Sequence, residues 1–120
     1  QEKMDAGIRR TTLHNKNIKR KNSFKENVIY FQQLVDYCTI NNKNLLLVVT
    51  PTTKYYLDYL DSNFKEYFYD VLNQTDGVIH LLDLSEDETY LDDDFIDTDH
   101  LSDSGAVKLT ATILDTLQVL

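Results

Sequence analysis

Apolar residues recur along this chain in two rhythms, one helical and one continuous. Phe24, Val28, Phe31, Val35 and Cys38 follow one another at steps of four, three, four and three, which places them on one face of a helix. Asn22 or Ser23 is placed to cap that helix, and Glu26, three residues after Ser23, completes a capping-box pattern. The stretch "NNKN" ends it, because Asn41 and Asn42 tolerate a left-handed turn. "LLLVVT", residues 45–50, is apolar without alternation and predicts a strand buried on both faces, stopped by Pro51. A long helix is expected from Tyr55 to Gln74, with Tyr56, Leu60, Phe64, Phe68 and Leu72 at steps of four, and "TDG" closes it. "VIHLLDL", residues 78–84, reads as a second strand, in which His80 is expected to be buried and hydrogen-bonded. From Ser102 onward, Ala106, Leu109, Ile113 and Leu117 mark a final helix.

Strands separated by helices imply an α/β fold with a parallel sheet and right-handed crossovers, whose ligands gather beyond the carboxyl ends of the strands. Two predicted strands do not complete such a sheet. Partner strands are expected from another part of the natural chain or from another copy, and self-association through an unpaired sheet edge follows as an expectation.

Length and charge narrow the picture. At 120 residues the chain is one small domain at most, at the low end for an α/β enzyme. No apolar run approaches the roughly 20 residues of a membrane span, so no direct membrane insertion by this segment is expected. The single cysteine, Cys38, forms no internal disulfide and lies on a helical apolar stripe, where core packing is its expected role. The net charge of −8 is unevenly spread. Residues 1–25 carry eight Lys or Arg against two acids, giving +6, while residues 26–120 carry four against eighteen, giving −14. Residues 1–21 are read as a basic, solvated lead-in or linker, and residues 22–120 as the α/β portion. The basic stretch has no regular aromatic interleaving and no nucleic-acid-binding module, and the acidic body repels nucleic acid and anionic membrane surfaces.

The candidate chemistry lies in "DDDFIDTDHLSDSGAVKL", residues 92–109. A turn that separates Asp97 and His100 by three positions lets the carboxylate reach the ring Nδ1 and leaves Nε2 for a substrate-side group. Asp92, Asp93, Asp94 and Asp99 are expected to be solvated members of a charge run. Ser102 and Ser104 read as helix N-terminal residues rather than nucleophiles.

"LLLVVTPTTKYY", a helix, "VIHLLDL" and then Asp97-Thr98-Asp99-His100-Leu101 with Gly105-Ala106 together resemble the C-terminal part of an SGNH-type (GDSL-like) hydrolase. The likeness is greatest to the DltD-like and bacterial polysaccharide O-acetyltransferase branch, and covers roughly residues 24–120. It implies a three-layer α/β/α, flavodoxin-like sheet of which this chain holds two strands and three helices. It also implies a serine-dependent esterase or O-acyltransferase without a cofactor, in which Asp97 and His100 are the triad acid and base. An acylated cell-envelope saccharide or polymer is the implied substrate, and a location exported from or anchored at the bacterial cell envelope the implied setting.

The family's Gly-Asp-Ser-like block and the Gly and Asn that complete its oxyanion hole have no counterpart in these residues. Ser23, Ser62, Ser85, Ser102 and Ser104 lack the glycine-rich strand-to-helix context, and Gly7 stands alone. Two other readings stay open. One is a noncatalytic saccharide-binding or interaction module, with Tyr55, Tyr56 and Tyr59 lining a sugar or acyl pocket or else packing a helix start on the core. The other is an acidic metal-binding loop at Asp97, Asp99 and His100, although the spacing lacks the turn glycine and terminal glutamate of a calcium loop and no second histidine is nearby.

Overall fold

The computed structural model describes residues 1–120. The elements run α1 (Glu2–Asn15), a short 3-10 turn (Lys16–Lys19), α2 (Lys21–Ile40), β1 (Leu46–Val49), α3 (Lys54–Leu57), α4 (Asn63–Gln74), β2 (His80–Asp83), a 3-10 turn (Asp92–Asp94) and α5 (Asp103–Leu117). The fold is mixed α/β. β1 and β2 pair in parallel, with Leu46 opposite His80 and Val49 opposite Asp83, and no third strand joins them.

Both strands are shorter than the apolar runs that predict them. β1 is only half-buried along its length, because each strand has one unpaired edge. His80 is half-buried, and its ring makes no hydrogen bond; only its backbone N–H is used, donating to Leu45 O at 2.9 Å. The expected buried, hydrogen-bonded histidine is therefore not formed.

The basic lead-in is not a linker. Residues Glu2–Asn15 form α1, with Glu2 and Asp5 in its first turn and His14 in its last, the distribution that complements a helix dipole. α1 packs on α3 so closely that a Cβ at Gly7 would lie 1.8 Å from Tyr55 O, and glycine is the residue that permits the approach. Thr11 is buried at this contact and donates its hydroxyl to Gly7 O at 2.8 Å. Asn15 extends the contact, donating from Nδ2 to Tyr59 O at 3.0 Å and accepting from Asp61 N–H at 2.9 Å.

α2 begins at Lys21 directly after the 3-10 turn, and neither Ser23 nor Glu26 forms the expected capping box, because the helix already includes both residues. Its predicted stripe does face a neighbour. Val35 is fully buried, Phe24 meets Tyr67 of α4 with ring centroids 5.6 Å apart, and Gln32 holds Asp76 through both main-chain groups. Cys38 is half-buried on the same side.

The long helix expected from Tyr55 to Gln74 is broken into α3 and α4. Five apolar residues at steps of four drift about 40° per step around an α-helix, so no single straight helix keeps them on one face. Asp61 fixes the break by accepting from Asn63 N–H at 3.0 Å and Asn63 Nδ2 at 2.7 Å. Val35, Leu84 and Tyr90 are the only buried large apolar side chains, and Val35 alone is completely enclosed, so the core is thin.

Candidate active site

The segment Asp94–Gly105 is a tight loop that leads into α5 and is anchored on Thr53, just beyond β1. Phe95 and Leu101 form an antiparallel bridge, Ile96 N–H donates to His100 O at 3.0 Å, and Ser102 N–H donates to Asp94 O at 2.8 Å. α5 starts against this hairpin. Ser102 caps it as expected, its hydroxyl oxygen accepting from Gly105 N–H, and a Cβ at Gly105 would stand 2.1 Å from Asp94 O. The glycine lets the helix start close onto the loop.

Within that frame Asp97 and His100 meet. Asp97 Oδ1 accepts from Asp99 N–H at 2.9 Å and His100 N–H at 2.8 Å, while Oδ2 lies 2.7 Å from His100 Nδ1. Partial burial pushes the Asp97 carboxyl upward, but the Asp99 N–H, the His100 ring and the His100 N–H outweigh it and hold its pKa below the ordinary value. With Nδ1 on the carboxylate, the ring tautomer that results is protonated there, and Nε2 is left as an acceptor without a protein partner. Both side chains are about half exposed.

Asp93 keeps an exposed carboxylate without a partner, as expected, but the loop's other acids are anchored rather than simply solvated. Asp99, whose side chain is 11 % exposed, receives Arg10 of α1 in a two-pronged pair at 2.9 and 3.0 Å from Nε and 2.9 Å from Nη2. Asp94 accepts from Leu91 N–H at 3.0 Å and pairs with Lys108 at 3.3 Å, contacts that lower its pKa. Asp92 pairs with Lys3 at 2.6 Å, and the main-chain carbonyl of Asp93 accepts from Ser102 Oγ at 2.9 Å. Thr98, buried between Asp97 and Asp99, offers its carbonyl to Thr53 N–H at 3.1 Å and Thr53 Oγ1 at 2.8 Å. The "TPTT" stretch at the end of β1 thus grips the loop from behind. Arg10, Lys3 and Thr53 lie 45 to 89 positions from their partners, and no local spacing in the sequence announces them.

A cleft of about 960 Å³ separates α1 from the loop. Ala6, Arg9 and Leu13 form one wall, and Tyr55, Phe95 and Asp97 contribute to the other. Tyr55 and Asp97 thus line the same cleft. Tyr56 does not: its hydroxyl lies 2.6 Å from His14 Nδ1, and burial first, then the charge of Asp99, raises its pKa. A second cleft of about 920 Å³ shares Thr53, Asp92 and Phe95 with the first. The hydroxyls of Thr52 and Tyr90 in its wall have no hydrogen-bond partner, but both oxygens are closed off from solvent and present nothing to a ligand.

Asp97, Asp99 and His100 bring one ligand atom each to within 4.8 Å of one another, so a cation site is geometrically conceivable. The donors are already engaged, however: an ion would have to displace His100 Nδ1 from Asp97 and Arg10 from Asp99. No serine or threonine hydroxyl donates to His100, and the loop hydroxyls are hydrogen-bonded to main-chain carbonyls, to each other and to the Asp94 and Asp99 carboxylates. Comparison with known proteins gives no match: no family model, no curated protein and no solved structure is significantly similar to the chain.

Proposed function

We propose that these residues are the C-terminal segment of a serine-dependent, SGNH-like esterase or O-acyltransferase, supplying its acid–base pair. The observation that carries the reading is the Asp97–His100 contact at 2.7 Å through Nδ1, with Nε2 unpartnered. The three-layer α/β/α sheet, the acylated cell-envelope saccharide or polymer as substrate, and the envelope location belong to the same proposal and rest on the sequence resemblance. No helix is long and apolar enough to cross a membrane.

In this reading a serine hydroxyl from outside these residues transfers its proton to His100 Nε2 as its oxygen attacks the acyl carbonyl. His100 then returns that proton to the departing alkoxide oxygen, leaving the acyl group on the serine. Water or an acceptor hydroxyl repeats the sequence to release it. Asp97 takes no proton; it holds the ring in the useful tautomer and balances the imidazolium. Its own hydrogen bonds to two main-chain N–H groups keep it ionised for that role. In this reading Tyr55, which shares the lining of the cleft with Asp97, is the candidate substrate contact, whereas Tyr56 is hydrogen-bonded to His14 of α1.

The experiment has two arms. By itself the chain should hydrolyse p-nitrophenyl acetate no faster than its His100→Ala variant, since it has neither nucleophile nor oxyanion donors. Joined to a Gly-Asp-Ser-like block with the accompanying Gly and Asn, it should gain ester hydrolysis that His100→Ala abolishes. A folded fusion that gains nothing, or gains activity indifferent to His100, overturns the proposal.

A further inference from the structure

α2 carries a second stripe that its predicted core face does not use. Ser23, Asn27, Tyr30, Leu34, Tyr37 and Asn41 follow at steps of four, three, four, three and four, one residue out of phase with the stripe that packs on α4. This is the spacing of a helix–helix seam. It spans about 27 Å of helix. All six residues are exposed; Tyr30 is 65 %, Leu34 48 % and Tyr37 63 % open to solvent. None is charged, in a chain where 27 % of residues are. A solvated helix face normally carries charge, so a seam with Tyr30, Leu34 and Tyr37 at its centre and uncharged Ser23, Asn27 and Asn41 at its ends suits a contact surface with an apolar middle and a polar rim.

The molecule as a whole has surface to give up. Its accessible area is 8584 Å², against about 6,700 Å² expected for a folded monomer of this mass. The excess, about 1,900 Å², is more than twice the roughly 800 Å² that a standard interface takes from each partner. Its radius of gyration of 16.0 Å likewise exceeds the about 13.6 Å of a compact domain of this length.

We infer that the seam on α2 is the contact through which two copies of this chain pair, helix against helix across a two-fold axis. Charge selects both the surface and the occupant. α2 holds Lys21, Lys25, Glu26 and Asp36 and is neutral, so two copies meet there without the repulsion that a net charge of −8 per chain imposes elsewhere. The rival face, on α5, exposes Val107, Leu114 and Leu117 but starts against the acidic loop, and pairing there would bring two sets of aspartates together. The open edge of β1 is four residues long and offers few hydrogen bonds, so it assists the contact at most.

The inference is independent of the acyl-transfer reading, and sedimentation velocity on the 120-residue chain over a wide concentration range tests it. A discrete species at twice the chain's mass is expected, weakened at least about 30-fold by Leu34→Glu together with Tyr37→Glu, the loss of one strong interface anchor or more. Leu114→Glu with Leu117→Glu should leave it intact. Far-ultraviolet circular dichroism checks that both variants fold, as the exposure of the four positions requires. A monomer at all concentrations, open-ended aggregation, or a dimer lost only with the α5 pair overturns the inference; the first would mean that a different helix covers the seam.

Discussion

The loop from Asp94 to Gly105 and the outer face of α2 use their chemical groups in opposite ways. In the loop nearly every polar group has an assigned partner: Asp97 accepts three hydrogen bonds, Asp99 is clamped by Arg10, Asp94 holds Leu91 and Lys108, and Thr98 is pinned by Thr53. On α2, Tyr30, Leu34 and Tyr37 are each about half or more open to solvent. The loop is dense in charge and complete, and the helix face is free of charge and unfinished. A segment with many mutually satisfied groups holds one geometry, which suits a site that must present one nitrogen in one direction. A face that lacks partners does its work only when something is laid on it.

The largest expected effect would break this contrast at the loop's centre. In a polypeptide that joins these residues to the serine block, Asp97→Asn should lower steady-state turnover about 10⁴-fold, the magnitude of the same exchange in a serine-protease triad, while Asp93→Asn costs far less. Equal damage from both would mean that charge, not the Asp97–His100 pair, is what the loop contributes. Next is Gly105→Ala. Its new methyl meets Asp94 O, so thermal melts should show a loss of about 1–3 kcal/mol, the usual penalty of forcing a group into a packed site. Arg10→Ala should lower the melting temperature less and should also broaden or shift the His100 ring signals in NMR, since it releases Asp99 from α1; unchanged His100 signals would show that α1 does not hold the loop.

Acid provides a gentler probe. Because the folded protein holds the Asp97 carboxyl below its ordinary value of 3.8, the stability it contributes is complete above that pH and is lost as the pH falls through the lowered value. Asp83, Asp87 and Asp94 are lowered too and add to the same acid-side loss. Melts of Asp97→Asn across the acid range should therefore fall less steeply than those of the parent sequence, and a parallel curve would remove Asp97 from the account. The smallest effect belongs to the other region. At concentrations below association, Leu34→Glu should change stability by no more than about 0.5 kcal/mol, because the side chain lies on an exposed helix face and outside the buried core. A larger change there would mean that the seam is already packed within one chain.

Local pattern was enough for several features. The continuous run at 45–50 and the one at 78–84 do form adjacent parallel strands, Ser102 does cap the last helix, and three-residue spacing does bring Asp97 to His100. The cap and the Asp97–His100 contact depend on neighbours in sequence, where turn chemistry carries the information, and the strands are legible from their own apolar runs. α1 escaped the same reasoning because it docks through Gly7, Thr11, His14 and two cations rather than through an apolar stripe. The strong basic bias of residues 1–25 reads as solvation until the fold lays Lys3 and Arg10 against the acidic loop.

The amino-acid order by itself determined the α/β alternation and the Asp97–His100 turn, which spacing along the chain encodes; the parallel pairing followed from that alternation, although it joins strands on either side of α3 and α4. Tertiary structure alone decided which aspartates are working partners and which tyrosine reaches the cleft, because Asp99 finds Arg10 across 89 positions and Tyr56 finds His14 across 42. It also decided which of the two stripes on α2 is covered. Their spacing is equivalent, so only what the fold lays against them, Tyr67 at Phe24 and Gly77 at Val35, tells them apart.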